Sequence, residues 1–228
     1  MDSDLSRLDS YEILRTIGHG VTSKVKLGRD VETGEYRALK ILKYSKALST
    51  QSELSFFNTV PEHPNIIKFF GFKENATYTK KYGQGEKQVS YMGLELAQRG
   101  EIFDFVANLG AFPEPICRYY YKQMLTSLET IHASGITHRD IKPENIFIGE
   151  NYDLKVADFG FSTMLAGKRG DSLLTSIKGT LPYMAPEILE KRPYRGDAAD
   201  LFASAIICFI LNTGLPPFRR AEVSNPHY

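Results

Sequence analysis

"HRDIKPEN", residues 138–145, is the stretch on which the reading of this chain turns. Around one proline it carries two carboxylates (Asp140, Glu144), an amide (Asn145) and the basic groups of His138, Arg139 and Lys142. A solvated loop can have that composition and do nothing. It can also aim its groups at one reacting atom. Asp140 can accept a proton from a hydroxyl, Lys142 can neutralise a transferring phosphoryl group, and Asn145 can ligate a divalent cation through its amide oxygen. Pro143 stiffens the loop between them. The choice depends on whether the rest of the chain supplies the partners such chemistry needs.

Three other stretches do. Downstream, strand-like "LKVA" leads into Asp158-Phe159-Gly160, where a carboxylate at a strand end, followed by a turn-permitting glycine, suits Mg2+ coordination. Upstream, "GHGVTSKV" at residues 18–25 lies between two strand-like segments, and its glycines would let backbone N–H groups approach phosphate oxygens closely. Between them, Ala38-Leu39-Lys40 places a lysine after small and apolar strand residues. If it points inward it needs a carboxylate, and Glu53 on the following helix is the obvious one. Each stretch alone also reads as a hairpin turn, a surface lysine or a plain loop. Their order and intervals together do not.

The surroundings are those of an ordinary globular chain. Its 228 residues allow one large domain or two small lobes, and 42% hydrophobic with 24% charged residues argues against disorder. A net charge of +1 gives no broad electrostatic reason to expect nucleic acid or an anionic membrane as partner. Cys117 and Cys208 are far apart without metal-type spacing, so both are expected to be buried packing residues in a reducing compartment. The N-terminal "MDSDLSRLDS" is neither a secretory signal nor a transit peptide, and the apolar run at 201–211 is short for a membrane span, so no membrane insertion is expected. The expected location is intracellular, in the cytoplasm, with the nucleus left open.

Periodicity predicts strands first and helices later. "YEILRTIG", "KVKLGRD" and "YRALKIL" alternate as a meander, a helix is expected over 46–60, "IIKFFGF" and "VSYMGLEL" read as strands, and polar 73–88 reads as a long turn or hairpin extension. Helices are expected at 101–109, at 114–134 (with Ile116, Tyr119, Tyr120, Gln123, Met124, Leu128 and Ile131 in series, closed by Gly135) and over 201–211. That order predicts an α+β architecture of two lobes with a hinge near 95–100.

With all four stretches in place, the chain resembles the eukaryotic protein kinase family, most specifically at "HRDIKPEN", "DFG" and "GTLPYMAPE" (179–187). The resemblance implies a two-lobed fold: a small antiparallel-sheet lobe with one helix at about 11–95, and a mainly helical lobe from about 96 to 228, behind an N-terminal extension at 1–10. It implies ATP and Mg2+ as cofactors. Ile17, Gly18, Gly20 and Val25 would cover the nucleotide, and Lys40, paired to Glu53, would hold its phosphates. Val25, Ala38 and Phe147 would sandwich the adenine, Leu94 would stand at the back of the pocket, and Glu95 and Ala97 would offer hinge backbone bonds. Glu101 falls at a ribose contact. Asp140 would be the catalytic base, Lys142 the γ-phosphate contact, and Asn145 with Asp158 the metal ligands.

Within that family the form of "KPEN" and of Thr180 is similar to the serine/threonine branch, and Phe161 goes with serine over threonine. "HPNIIKFFGF", "GEIFDFV" and "LPPF" look most like the calcium/calmodulin-dependent-kinase-like group. Leu181 and Met184 would line an apolar pocket for the residue after the phosphorylated one. Glu101 and Glu144 would attract a basic residue upstream of it, while Ile210 stands where some such kinases carry a further acid. Arg139 implies control by an upstream kinase acting on Ser176, or on its neighbour Thr175. The chain departs from the pattern at Ser23, in place of a glycine, and at Ala205. It also departs beyond "PPF" at 216–218, where a kinase domain usually continues for several helices. The second lobe is therefore expected to be truncated, leaving Glu187 without its usual arginine. The activity expected is transfer of the γ-phosphate of ATP to protein serine or threonine hydroxyls. The alternative is a nucleotide-binding module with little or no turnover.

Overall fold

The structure, a computed structural model, describes residues 5–20, 22–43, 48–167 and 170–222. Val21 of the glycine-rich stretch, residues 46–47 of the expected first helix, and the terminal residues 1–4 and 223–228 lie outside the described residues. So do residues 168–169 of the segment holding Ser176. The chain divides into two compact units: Met1–Gln51 with Lys68–Leu96, and Ser52–Ile67 with Ala97–Tyr228.

The described residues of the first unit are mainly antiparallel sheet. Its strands are β1 (Ser6–Leu8), β2 (Tyr11–His19), β3 (Ser23–Asp30), β4 (Tyr36–Leu42), β5 (Phe69–Thr79) and β6 (Glu86–Leu94). They run β1-β2-β3-β4-β6-β5, and β1 also pairs with β5, so the sheet closes into a barrel. Closure removes the unpaired edges that an open sheet would expose. Leu8, Ile13, Leu39, Ala76 and Tyr91 fill the interior. Gly28 is required where it stands, because a Cβ there would come within 2.5 Å of Leu39 Cδ1. The polar 73–88 segment is mostly strand, with only residues 80–85 between β5 and β6. Its residues pair across the hairpin as Thr77–Gln88, Tyr78–Lys87 and Thr79–Glu86, and Lys87 Nζ sits 5.2 Å from the Tyr78 ring. Polar threonines and a tyrosine make good strand residues where one face meets water.

Helix α1 (Leu48–Thr59) belongs from Ser52 onward to the second unit. There it joins α2 (Ile102–Leu109), α3 (Glu114–Ala133), α4 (Pro186–Leu189) and α5 (Gly196–Thr213). Short strands β7 (Ile136–Thr137), β8 (Ile146–Ile148), β9 (Leu154–Val156) and β10 (Thr163–Met164) carry the loops between them. α3 buries Cys117, Tyr120, Met124, Leu128 and Ile131, a stripe at three- and four-residue steps. Ile116 and Tyr119, expected in that series, are exposed, and Cys117 takes the inward position. Gly135 ends α3 at φ 74°, a left-handed conformation that glycine adopts without Cβ strain. α5 is apolar and long enough, by length and composition alone, to cross a membrane, yet half of it is buried within the protein. Cys208 on α5 is only half-buried, whereas Cys117 is buried as expected; both are free thiols.

Candidate active site

The "HRDIKPEN" loop is fastened from below by Asp200 of α5, which is almost wholly buried. Its Oδ2 accepts hydrogen bonds from Thr137 Oγ1 (2.7 Å) and the His138 N–H (2.8 Å), and lies 2.9 Å from His132 Nε2. Its Oδ1 accepts the Arg139 N–H at 2.7 Å. Donors converging on a buried carboxylate make charge-assisted bonds roughly twice as strong as neutral ones. They hold Arg139 at φ 67°, a conformation costly for a side-chain-bearing residue. Next along, the Asp140 N–H donates to His138 Nδ1 (3.2 Å), so Nε2 carries the proton that faces the Ala157 carbonyl at 3.1 Å. Asn145 Nδ2 closes the loop by donating to the Asp140 carbonyl at 2.9 Å.

The reacting groups then meet above it. Lys142 Nζ lies 2.8 Å from Asp140 Oδ2. Thr180 Oγ1 donates to Asp140 Oδ1 at 2.8 Å and accepts from Lys142 Nζ at 3.1 Å. The Asp140 carboxylate is thus engaged by a cation on one oxygen and a hydroxyl on the other. Strands β8 and β9 bring the two expected metal ligands side by side, since Ile146 pairs with Val156 and the Ala157 N–H donates to the Asn145 carbonyl at 2.9 Å. Asp158 follows at φ 60°, and Phe159 after it is fully buried, stacked on Phe56 of α1 with ring centroids 3.5 Å apart. The Phe159 anchor fixes the direction in which Asp158 leaves the sheet. The amide nitrogen of Asn145 faces Asp140, which leaves its oxygen for a cation, and one carboxylate plus one amide suits Mg2+ that is also held by phosphates.

Other expected site residues of this unit sit nearby in the sheet framework. Glu101 bridges to Phe147, and the Ile148 N–H donates to the Gly100 carbonyl. Ala97 packs against the core and Glu53 is buried on α1. Burial, and then the carboxylates of Asp104 and Glu144, hold the Glu101 carboxyl above its ordinary range. Arg139 reaches the segment after Asp158-Phe159-Gly160: its Nε donates to the Phe161 carbonyl and its guanidinium to Ser176 Oγ, both at 2.7 Å. The Tyr194 hydroxyl donates to the Ser176 carbonyl at 2.8 Å. Met184 lines a shallow cavity with Arg139, Lys178, Thr180 and Tyr183, whereas Leu181 is exposed. Glu187 is half-exposed, so it carries no large desolvation cost.

In the first unit the strand register aligns the expected nucleotide residues. Gly18 pairs with Val25, Val25 with Lys40, and Lys40 with Met92, while Ala38 pairs with Leu94. Directly paired residues, and residues two apart, share a face of a sheet, so Val25, Ala38, Lys40 and Leu94 present one surface. Ile17 is about one-third exposed at the end of that row. Ser23 in the glycine position is buried, and Gly20 makes room for it: a Cβ on Gly20 would meet Ser23 Oγ at 3.0 Å. Glu95 donates its N–H to the Lys68 carbonyl and accepts the Lys68 N–H on its carboxylate.

Sequence reading missed what Asp200 and Thr180 do here. Asp200 stands 61 residues after Arg139 and Thr180 40 residues after Asp140, so no local spacing signals either contact. An aspartate four residues into a largely apolar helix is the one clue, since a buried carboxylate needs donors.

The first unit aligns Lys40 on its sheet, and the second gathers Asp140, Lys142 and Asn145 in one loop. Residues 11–227 match the protein kinase domain family, and the chain belongs to it. Among curated proteins it is 37% identical over 223 residues to CBL-interacting protein kinase 32 of Oryza sativa subsp. japonica, covering 95% of this chain and 48% of that protein. It is 34% identical over 225 residues to CBL-interacting serine/threonine-protein kinase 3 of Arabidopsis thaliana, covering 96% and 48%. To CBL-interacting protein kinase 26 of rice it is 36% identical over 217 residues, covering 92% and 41%. The chain spans about half the length of the curated relatives it matches.

Proposed function

We propose that this chain is an ATP-dependent protein serine/threonine kinase. The observation that carries the reading is the Asp140–Lys142–Thr180 cluster, in which a hydroxyl and a cation each engage the Asp140 carboxylate at 2.8 Å, the two groups an acceptor hydroxyl and a transferring phosphate need beside a base. In the reaction, a protein hydroxyl donates its proton toward Asp140 as its oxygen attacks the γ-phosphorus, and Lys142 offsets the charge on the transferring group. Asn145 and Asp158 would hold Mg2+, which neutralises phosphate charge when bound. Val25, Ala38 and Leu94 offer an apolar sheet face suited to a purine, and Lys40 a cation suited to its phosphates. Such a site works by positioning and charge, since phosphoryl transfer asks little covalent chemistry of the protein.

The carboxylates of Glu101 and Glu144, close enough that Glu144 helps raise the Glu101 pKa, support a preference for a basic residue upstream of the acceptor. Phe161 supports serine over threonine. The hydrogen bond from Arg139 to Ser176 supports Ser176, rather than the neighbouring Thr175, as the site where an upstream kinase acts. Two free cysteines go with a reducing intracellular location.

Transfer of labelled phosphate from Mg·ATP to a serine peptide with an upstream arginine tests the reading. Asp140→Asn is expected to lower the rate by about 10²–10⁴-fold, the usual contribution of a general base. Equal rates for the two proteins exclude the role of Asp140. A rise in Tm with Mg·ATP but no transfer would select a nucleotide-binding module without turnover.

A further inference from the structure

The barrel of the first unit is closed by residues that precede the region matched by the kinase family. β1 makes three residue pairs with β2 and two with β5, and its Leu8 is fully buried. The turn that follows is tied on two sides. Asp9, at φ 50°, donates its N–H to the Thr77 carbonyl, and Lys73 Nζ lies 2.9 Å from its carboxylate, an ion pair. Ser10 donates its hydroxyl to Asp30 Oδ2 at 3.0 Å and accepts the Val31 N–H on its carbonyl, also at 3.0 Å. Asp30 itself accepts the backbone N–H groups of Thr33 and Glu32, which hold its carboxyl below the ordinary range and keep it ionised.

The sequence adds an independent observation. Of all the arginines in the chain, only Arg7 and Arg169 have a serine or threonine three positions further on, Ser10 and Ser172, and both are serines. Arg169 lies outside the described residues. Arg7 is half-exposed, 3.7 Å from Glu12.

We propose that Ser10 is a phosphorylation site used by a second copy of this chain, and that its phosphate releases β1 from the barrel. The proposal rests on the serine-kinase reading and its upstream-basic preference. The docked turn, with Asp9 left-handed and the Ser10 hydroxyl engaged, cannot lie extended along a transfer site, so the acceptor is the undocked form of this segment. Ser10 Oγ bonds to the γ-phosphorus as the bond from that phosphorus to the β,γ-bridging oxygen breaks. ADP leaves, and the hydroxyl proton passes to Asp140 of the other copy. Redocking would then bring about −1.5 to −2 charges to a position hydrogen-bonded to ionised Asp30. A phosphate on Ser10 removes the hydroxyl donor that Asp30 accepts and sets like charge against that carboxylate, so the undocked strand is retained.

The chain is incubated with Mg·ATP, with and without a serine peptide carrying an arginine three residues upstream. Phosphate is located by mass spectrometry, and amide exchange is followed at residues 6–8 and 77–79. Ser10 phosphate is expected to accumulate at a rate per chain that rises with protein concentration. Arg7→Ala is expected to slow it about tenfold while peptide turnover stays within about twofold. Because Arg7→Ala loosens β1 if anything, a slower reaction reports recognition and not docking. Peptide transfer with Ser10 unmodified overturns this proposal alone; no transfer to either overturns the kinase reading as well. A rate independent of concentration overturns transfer between copies. A chain synthesised with phosphoserine at position 10 is expected to exchange at 6–8 and 77–79 about tenfold faster or more, and unchanged protection overturns release of the strand.

Discussion

Ser176 shows how much one hydroxyl can report. It is exposed, yet its Oγ accepts from the guanidinium of Arg139 at 2.7 Å, and its carbonyl accepts from Tyr194. Removing the hydroxyl costs one partly solvated hydrogen bond, about 0.5–1.5 kcal/mol. Ser176→Ala is therefore expected to match the unmodified protein in transfer rate within about twofold, given the small worth of such a bond. After treatment with an activating kinase, only chains that retain Ser176 should gain activity, and Thr175→Ala should gain it normally. The reverse pattern would assign the site to Thr175. At this scale the sequence was informative: "HRD", "KPEN" and "DFG" pointed to Asp140, Lys142, Asn145 and Asp158 through short spacings, and the structure brings Asp140, Lys142 and Asn145 into contact. Thr180 was visible as a residue of the "GTLPYMAPE" stretch but not as a ligand of Asp140, because a contact across 40 residues leaves no periodicity to read.

Elements position these side chains, and two of them can be tested directly. α5 presents Asp200 to the catalytic loop, where four donor groups converge on its carboxylate. Asp200→Asn keeps the shape but turns an NH2 group toward donors. Leaving buried donors unsatisfied predicts a loss of about 2–5 kcal/mol in unfolding free energy and a larger loss of transfer, since Asp140 follows Arg139 directly. Urea unfolding monitored beside peptide turnover measures both. In the barrel, Gly28→Ala forces a Cβ against fully buried Leu39 and predicts about 1–3 kcal/mol of destabilisation. Wild-type stability there would show that the interior is less tightly packed than its register implies. Strands β2, β3 and β4 were legible from alternation, but β1 was not. Three residues in a polar, acidic stretch carry no period, and only their tertiary partners make them a strand. The polar part of the β5–β6 hairpin was left between a long turn and a hairpin extension; the structure shows the extension, held by cross-strand pairs rather than by an apolar face.

Across the whole molecule, charge is nearly balanced, so function rests on local fields. Glu101 is the clearest case. Burial and two neighbouring carboxylates raise its pKa, so it gains a proton at a higher pH than an ordinary glutamate does. The charged form is the one that attracts arginine. KM for an upstream-arginine peptide is therefore expected to rise as pH falls through this raised value, while KM for the same peptide with alanine at that position stays flat. Glu101→Gln should remove the difference. Parallel pH profiles for the two peptides would rule out Glu101 as the upstream contact. Two-unit organisation was legible as strands followed by helices, but the assignment of α1 was not. Its Phe56 packs on Phe159 of "DFG", a contact that sequence order conceals.

The reach of Arg139 has one more consequence. In a segment that must be rebuilt on activation, a phosphate supplies the free energy of ordering. Here the arginine, the serine oxygen and the Phe161 carbonyl already hold that arrangement in the unphosphorylated chain. A modifying group can then raise output only by the fraction of time this arrangement is absent. Control at Ser176, as proposed above, is accordingly expected to have a short range, and transfer by the unmodified protein is expected to be measurable without prior phosphorylation.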